Sequence, residues 1–234
     1  MGAKRCETSA SVVLVHGAWA DGSSWAPVIE LLQSKGLKVL AAPIPLTSLS
    51  DDTAALERAL ERTEGPVVLV AHAYAGAVIG ASMNDRVRSL VFIAALAPDE
   101  GETVADVFYR DEPHMKAPKL TPDAHGFIWM PTDAFGVTFS QNASAQQAAV
   151  FAATQRPIAL KCIQEKSPNP AWKTKPSWYL LAQEDRMIAP ATQLFMAQRM
   201  GARVRSEKVD HMPLVTAPDS VAEVIFEAVV SLAT

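Results

Sequence analysis

The sequence predicts an α/β fold, a doubly wound and mostly parallel sheet with helices on both faces. Two observations lead to this prediction. Short apolar runs rich in Val, Leu and Ile recur along the chain, and segments with helical spacing of apolar residues lie between them. Strands that alternate with helices in this way favour parallel βαβ units. A length of 234 residues is typical of one domain, with or without a large insertion.

The predicted elements follow one another in a regular order. Five runs are continuously apolar, as expected for strands buried on both faces of a parallel sheet: 11–17, 37–43, 66–72, 89–96 and 177–183. A sixth strand is predicted at 202–209. The helical patterns that alternate with these strands cover 25–35, 51–63, 74–84, 190–200 and 218–232. The last two helices each begin near a proline, which the first helical turn tolerates.

The regular alternation stops between residues 97 and 176. This stretch is rich in proline and aromatic residues, and a helical pattern covers 143–155 within it. We interpret it as a cap inserted at the carboxyl edge of the sheet, so that the core comprises 1–96 and 177–234. Ligands of open α/β sheets bind at that edge, where a cap would exclude water and select the substrate.

Composition excludes several classes of function. Hydrophobic residues make up 49% and charged residues 20%, with a net charge of −4, so the chain lacks the basic surface typical of nucleic-acid binding. Its two cysteines, Cys6 and Cys162, form no disulfide framework or metal motif. No apolar run near the start is long enough for a secretion signal or a membrane span. We therefore expect a cytoplasmic protein without a metal or other cofactor, and without a nucleic-acid or membrane partner.

The stretch LVHGAWADGSSW, residues 14–25, follows the first strand. Gly17 lets the backbone turn sharply there, so that neighbouring N–H groups can point toward the sheet edge. Paired donors of this kind stabilise an oxyanion as it develops on a substrate. Any tight turn favours glycine, so the motif gains its weight from the residues that follow later in the chain.

A second turn, VLVAHAYAGAV at 68–78, joins an apolar strand directly to a helix. Many enzymes mount a nucleophilic serine in this layout, in the pattern G-x-S-x-G. Here Ala73 occupies the position of the nucleophile, and Ala71 and Ala75 occupy the positions of the glycines. Small residues suit a strained turn, but a methyl group stands where the nucleophile is expected.

Two polar residues follow later strands in an order that indicates catalysis. Asp185 comes just after the strand at 177–183, and His211 just after the strand at 202–209. In enzymes with a nucleophile elbow the nucleophile, the acid and the histidine follow this same order. The acid accepts a hydrogen bond from one imidazole nitrogen and stabilises the imidazolium during proton transfer. Taken alone, an aspartate after a strand is more simply a helix N-cap.

From about residue 11 to 232 the chain resembles the α/β-hydrolase superfamily, through the motifs VHGAW, AHAYAG, FIAALAPDEGE, EDRMIAP and DHMPLV. It is most similar to small bacterial esterase-like members, and more distantly to plant methylesterases and hydroxynitrile lyases. The resemblance implies an α/β-hydrolase fold with His211 as the base, Asp185 as its orienting acid, and the N–H groups of Ala18 and Tyr74 as an oxyanion hole. The chain departs from the family at Ala73, where serine is usual.

Ala73 leaves several hypotheses open. An engineered Ser→Ala replacement is one, although Ala71 and Ala75 also depart from the pattern. If alanine is native, His211 either activates a water that attacks an ester or removes a proton from the substrate in a lyase-type reaction. A pseudoenzyme that only binds a ligand in the capped pocket is the third alternative. The retained His–Asp pair fits proton removal best. In each case we expect serine-type ester hydrolysis to be absent or very weak.

The expected ligand is a small hydrophobic ester or carbonyl compound. Trp19 and Trp129 are expected to line an apolar pocket, Ser24 to reach its mouth, and His72 to lie beside the turn, so that each contacts the ligand. No G-x-G-x-x-G loop follows the first strand, which argues against a dinucleotide site. The oligomeric state stays open, with a homodimer as one arrangement.

Overall fold

The structure is a computed structural model that describes residues 10–233, so Cys6 lies outside the described residues. Its strands, in chain order, are β1 (Ser11–Val15), β2 (Lys38–Ala42), β3 (Val67–His72), β4 (Val87–Ile93), β5 (Phe127–Ile128), β6 (Ile158–Ala159), β7 (Ser177–Ala182) and β8 (Arg203–Glu207). Its α-helices are α1 (Ala26–Ser34), α2 (Leu49–Leu60), α3 (Ala75–Gly80), α4 (Val104–Phe108), α5 (Ala145–Thr154), α6 (Leu160–Gln164), α7 (Pro190–Arg199), α8 (Pro213–Thr216) and α9 (Pro218–Val230). One π-helical turn covers Phe135–Phe139.

Six strands form a parallel sheet in the order β2-β1-β3-β4-β7-β8, which confirms the predicted α/β class. The chain passes from β1 to β2 on one side and then returns to β3 on the other side of β1. Such a reversal is a topological switch point, where open α/β sheets bind their ligands. The register pairs Val15 with Ala71 and His72 with Ile93, so the carboxyl ends of β1, β3 and β4 meet at one edge.

Two predicted elements differ from the observed ones. The helix expected over 74–84 ends at Gly80, and the following residues Ser82 and Asn84 instead bind the carboxylate of Glu57. The strand expected to be buried at 37–43 is β2, an edge strand in which only Ala42 is buried. Its apolar composition is that of a central strand, because composition reports hydrophobicity but not the strand's place in the sheet.

The core lies between the sheet and the helices that pack on it. β1, β3 and β7 are buried along their whole length, and α1 packs against α9 while α2 packs against α3. Each fully buried Val, Leu or Ile side chain contributes about 1.5–3 kcal/mol relative to an exposed one, so this sheet is a rigid platform for its edge loops. The longest helix, α9, has 13 residues, and no helix within residues 10–233 has the length and apolarity needed to cross a membrane.

The segment between β4 and β7, residues 97–176, contains α4, α5, α6 and the antiparallel pair β5–β6. Its α5 corresponds to the helix predicted over 143–155. The segment bonds to loops at the carboxyl edge of the sheet. The Trp19 N–H donates to the Arg156 carbonyl at 3.0 Å, the Trp19 indole to the Ile128 carbonyl at 2.9 Å, and the Ala159 N–H to the Leu46 carbonyl at 2.9 Å. It therefore lies against the loops that follow β1 and β2.

Gly76 lets α3 pack closely against the end of β4. A Cβ atom at this position would lie 2.2 Å from the Leu96 carbonyl oxygen and 3.1 Å from the Ala95 Cβ. The first distance is far below van der Waals contact, so the position requires glycine. This close approach sets where the first turn of α3 lies relative to the sheet.

We expect Gly76→Ala to lower the free energy of unfolding by about 3 kcal/mol, because the added methyl would overlap a backbone oxygen that cannot rotate away. Gly80→Ala is the matched control on the same helix, since its nearest neighbours would lie 3.8 Å away. That variant should be neutral or more stable by about 0.5 kcal/mol. Urea unfolding followed by circular dichroism measures both variants, and equal effects would contradict the close packing of α3 on β4.

Candidate active site

The turn between β3 and α3 holds Ala73 in a strained conformation. Ala73 has φ +49°, in the left-handed region that L-residues other than glycine rarely adopt. Three backbone hydrogen bonds hold the turn: the Ala73 N–H donates to the Ile93 carbonyl at 3.3 Å, and the Ala73 carbonyl accepts from Leu96 at 2.9 Å and from Gly76 at 3.1 Å. This conformation is typical of a nucleophile elbow. The strained backbone is therefore present although the side chain is a methyl group.

The loop after β1 packs directly against this turn. A Cβ atom at Gly17 would lie 2.9 Å from the Ala73 Cβ and 3.0 Å from the His72 carbonyl oxygen. Both are shorter than ordinary contact, so glycine is needed for the two turns to approach. Ala18 and Trp19, which follow Gly17, line the same cavity as Ala73 and Tyr74. The two motifs that the sequence singled out thus meet at the sheet edge.

His211 and Asp185 form a buried hydrogen-bonded pair. The His211 Nδ1 lies 2.8 Å from the Asp185 Oδ2, and 2% or less of either side chain is exposed. The other Asp185 oxygen, Oδ1, accepts from the N–H groups of Met187 at 2.7 Å and Ile188 at 2.9 Å. A carboxylate only accepts, so Nδ1 carries the proton and Nε2 of the neutral ring is left as an acceptor. This tautomer is the one that a general base requires.

Two rings enclose the His211 imidazole. The Phe139 ring centroid lies 5.3 Å from it and the His72 ring centroid 4.8 Å from it. The His72 Nε2 donates to the His211 carbonyl at 2.7 Å, and burial together with the nearby His211 lowers the pKa of His72 well below its usual value. His72 is therefore a neutral side chain that supports the His211 loop from behind, and it is not among the residues that line the cavity.

A cavity that is partly open to solvent lies at this site. Its wall is formed by the two turns, the loops after β4, β7 and β8, and residues of the 97–176 segment. The lining residues are Ala18, Trp19, Ala73, Tyr74, Leu96, Val104, Ala105, Phe108, Tyr109, Leu120, Ile128, Ile158, Ile163, Met187, Ile188 and His211. This wall carries no formally charged side chain when His211 is neutral. It therefore suits an uncharged, hydrophobic ligand.

Two of the four wall side chains that carry N–H or O–H groups are already paired with protein. The Trp19 indole donates to the Ile128 carbonyl, and the Tyr74 hydroxyl donates to the buried Asp52 Oδ2 at 2.7 Å. Burial, with Asp52 nearby, raises the pKa of the Tyr74 phenol well above its usual value. The hydroxyl of Tyr74 is thus occupied away from the cavity. Among these side chains, His211 and the half-exposed Tyr109 keep a polar group for a ligand.

Ser24 and Trp129 lie away from this cavity. The Ser24 hydroxyl donates to the Asp21 carbonyl at 2.6 Å, and Ser24 lines a separate surface groove between the first turn of α1 and α5. The Trp129 side chain is half exposed, and its indole donates to the Asp123 Oδ2 at 3.2 Å. Neither residue lines the cavity, so the structure gives no support to their predicted contact with a ligand.

Sequence reasoning missed several residues of the site. Phe139 lies in the π-helical turn Phe135–Phe139, and Gln193 on α7 donates to the Asp185 Oδ2 at 2.8 Å. The cavity wall contributed by α4, β5, β6 and α6 was also missed, because these elements are only two to five residues long. Elements so short carry no periodic signal. Within residues 10–233, no group of three or more His, Cys, Asp or Glu side chains is placed to share a metal ion.

The chain is similar to known hydrolases in sequence and in structure. A family described as "Alpha/beta hydrolase family" matches residues 12–224. The pyrethroid hydrolase of Sphingobium wenxiniae is 25% identical, over 93% of this chain and 87% of its own length. A pyrethroid hydrolase structure from Sphingobium faniae has a TM-score of 0.83 at 20% identity, covering 96% of this chain and 99% of that chain. Polyneuridine aldehyde esterase has a TM-score of 0.77 at 19% identity, covering 94% and 99%. These likenesses confirm the predicted fold.

Beside the site, His16 is a buried neutral imidazole that makes stability depend on pH. Burial, helped by the positive charge of Arg156, lowers the pKa of His16 from 6.5 to about 4. Below pH 6.5 the unfolded chain binds a proton at this histidine that the folded chain does not, so stability falls as the pH drops toward 4. One pH unit of pKa difference is worth about 1.4 kcal/mol, which gives a loss of about 3 kcal/mol over this window.

We expect His16→Asn to reduce this pH dependence and to leave the part contributed by His72, the other buried neutral imidazole, because an asparagine amide can still donate to the Gly17 carbonyl, which lies 3.0 Å from the His16 Nδ1, but does not titrate. The measurement is the free energy of urea unfolding from pH 7 to 4.5. His125→Asn, an exposed histidine, is the matched control and should keep the slope of the original chain. The same slope in all three proteins would show that His16 is not protonated on unfolding.

Proposed function

The chain belongs to the alpha/beta hydrolase family, and from this premise we propose that it is a general-base enzyme acting on a small, uncharged, hydrophobic carbonyl compound. The observation that carries the proposal is the hydrogen-bonded pair of His211 and Asp185 at a cavity where the elbow holds Ala73. The site thus keeps a base and the strained turn while lacking the nucleophile. Chemistry that needs only a base remains available to it.

The donors for an oxyanion are the backbone N–H groups of Ala18 and Tyr74. Both residues line the cavity beside Ala73, and the close approach at Gly17 brings their two turns together. The N–H of Tyr74 also lies just ahead of α3, where the backbone dipoles favour negative charge. A carbonyl oxygen bound here gains stabilisation as it becomes an oxyanion.

His211 acts on the substrate itself in this proposal. The proton on the carbon next to the carbonyl is transferred to the His211 Nε2, and the electron pair of the broken C–H bond moves onto the carbonyl oxygen as an enolate. The Asp185 carboxylate stabilises the imidazolium through Nδ1–H. In one outcome a proton returns from Nε2 to the carbon and the carbonyl re-forms. In the other, the carbonyl re-forms as a C=C bond is made and a leaving group departs from the neighbouring carbon, taking the proton from Nε2.

The apolar wall favours proton removal over activation of water. A nucleophilic water needs partners besides His211 to hold and orient it, because well-ordered buried waters make about three hydrogen bonds. The Trp19 indole and the Tyr74 hydroxyl are already bonded to protein groups. A carbonyl substrate, in contrast, needs only the two backbone donors and the base. We further propose that residues 97–176 act as a cap, since they supply about half of the apolar wall.

Ester hydrolysis by a water that His211 activates is the second candidate. The similarity to a pyrethroid hydrolase and to polyneuridine aldehyde esterase supports it. It uses the same base and the same oxyanion donors, so it predicts the same loss on removal of His211. The two candidates differ in the bond that is broken, and they are separated by the substrate that reacts.

The proposal is tested by proton exchange on a model ketone. We expect the protein to accelerate deuterium incorporation into the methyl group of acetophenone in D₂O, followed by proton NMR. His211→Ala should lower the enzymatic rate by about 10²-fold or more, the range typical of a general base. His125→Ala removes an exposed histidine and is the matched control. Exchange no faster with the original protein than with His211→Ala would overturn base chemistry on carbon.

Restoring the nucleophile tests whether the elbow and the base converge. We expect Ala73→Ser to raise the hydrolysis of p-nitrophenyl butyrate by about 10²-fold or more, because a serine in a working triad contributes far more than that. The gain should vanish in Ala73→Ser/His211→Ala, and a fluorophosphonate probe should label only the variant that retains His211. If serine adds no turnover and no labelling, the His211 Nε2 does not face the position of the Ala73 side chain.

A further inference from the structure

Gln193 is a fully buried amide directly behind the catalytic pair. It lies on α7, four residues into the helix that begins at Pro190, and none of its surface is exposed. Its Nε2 lies 2.8 Å from the Asp185 Oδ2 and 3.0 Å from the Ile188 carbonyl oxygen, and its Oε1 accepts from the Ala182 N–H at 3.0 Å. All of the partners lie at the end of β7 or in the loop that follows it.

These partners determine the orientation of the amide. The Ala182 N–H can only donate, so the amide oxygen must face it, while the Ile188 carbonyl can only accept and must face the NH₂ group. The second N–H of that group then points at the Asp185 carboxylate. A flipped amide would place two donors against each other at Ala182 and two acceptors against each other at Asp185. The donation from Gln193 to Asp185 follows from the fixed backbone groups.

We propose that Gln193 is a positioning residue, which holds the Asp185 carboxylate in the plane that the His211 Nδ1–H requires. With Gln193, the carboxylate accepts four hydrogen bonds, two at each oxygen. Without it, Oδ2 keeps only the bond to the imidazole that it must orient. The Met187 and Ile188 N–H groups would still hold Oδ1, but the position of Oδ2, and of the imidazole bonded to it, would be less constrained. Gln193 thus acts on the base of the proposed function through Asp185, and it contacts no substrate.

The same amide couples the base to the cavity wall. Ile188 lines the cavity with its side chain, while its carbonyl accepts from Gln193 and its N–H donates to Asp185. The carboxylate and this part of the wall are therefore bonded to each other and to the end of β7. A hydrophobic residue of similar size would fill the space of Gln193, but it would leave the Ala182 N–H and the Ile188 carbonyl without this partner.

The test compares Gln193→Met, which keeps the volume but removes the amide, with Gln198→Met, an exposed glutamine on the same helix. The first readout is the low-field proton NMR signal of the His211 Nδ1–H in each folded protein. We expect this signal to be lost, or to exchange with water at least about tenfold faster, in Gln193→Met and to be unchanged in Gln198→Met. The second readout is kcat and KM for ester hydrolysis in the Ala73→Ser background, where Gln193→Met should lower kcat about tenfold with KM nearly constant.

The alternative is that Gln193 serves only the stability of the β7 loop. Gln193→Met would then unfold at a lower urea concentration, but the His211 signal and kcat would match the original, which would overturn the proposal. If Gln193→Met does not fold, Gln193→Asn gives the same comparison. Its side chain keeps the polar amide but is one methylene shorter. Loss of the His211 signal in Gln193→Met, together with no acceleration of deuterium exchange into acetophenone by the original protein, would support the role of Gln193 while rejecting the proposed function, so the two failures are distinguishable.

Discussion

The left-handed backbone at Ala73 is the constraint on which the site depends. An L-residue in this conformation costs about 1–2 kcal/mol, and the turn persists because its neighbours hold it from several sides. Its N–H and carbonyl bond to the residues at and beyond the end of β4, and Gly76 lets α3 pack against Leu96. The same turn brings Gly17 within contact of Ala73. A relaxed turn would move the start of α3 and separate the two loops that line the cavity at Ala18 and Tyr74.

Burial determines the electrostatics around this turn. His16 and His72 lie away from water, where desolvation disfavours the charged imidazole, and the pKa of each is lowered. His211 is equally buried but differs in its partner, since the Asp185 carboxylate accepts from its Nδ1. Of the three histidines near the elbow, His211 is the one whose ring is hydrogen-bonded to a carboxylate, whereas the rings of His16 and His72 are bonded to backbone carbonyls.

The chain has the fold of the alpha/beta hydrolase family, but the turn that usually holds a nucleophilic serine holds Ala73. The sheet, the strained turn and the buried His–Asp pair are present, while Ala73 has a methyl group where a nucleophile elbow holds the hydroxyl that forms the covalent bond. Function belongs to the site and not to the fold, so similarity to hydrolases does not by itself make this chain a serine esterase. The apolar wall favours uncharged ligands, and it offers few hydrogen-bond partners to a water molecule. This combination is the basis for our proposal that His211 removes a proton from the substrate itself.

The sequence by itself determined the α/β class, the order of the central strands along the chain, and the residues Ala73, Asp185 and His211, because apolar periodicity and turn motifs are local. Only the tertiary structure decided that β2 lies at the edge, that Ser24 and Trp129 lie outside the cavity, and that Gln193 lies behind Asp185. Each of these depends on which distant segments pack together. Gln193 on α7 bonds to Ala182, the last residue of β7, which lies eleven residues earlier in the chain. It also bonds to Asp185 in the loop after β7, eight residues earlier. Strand order, burial and side-chain pairing between distant residues are properties of the assembled core, and no local pattern of residues encodes them.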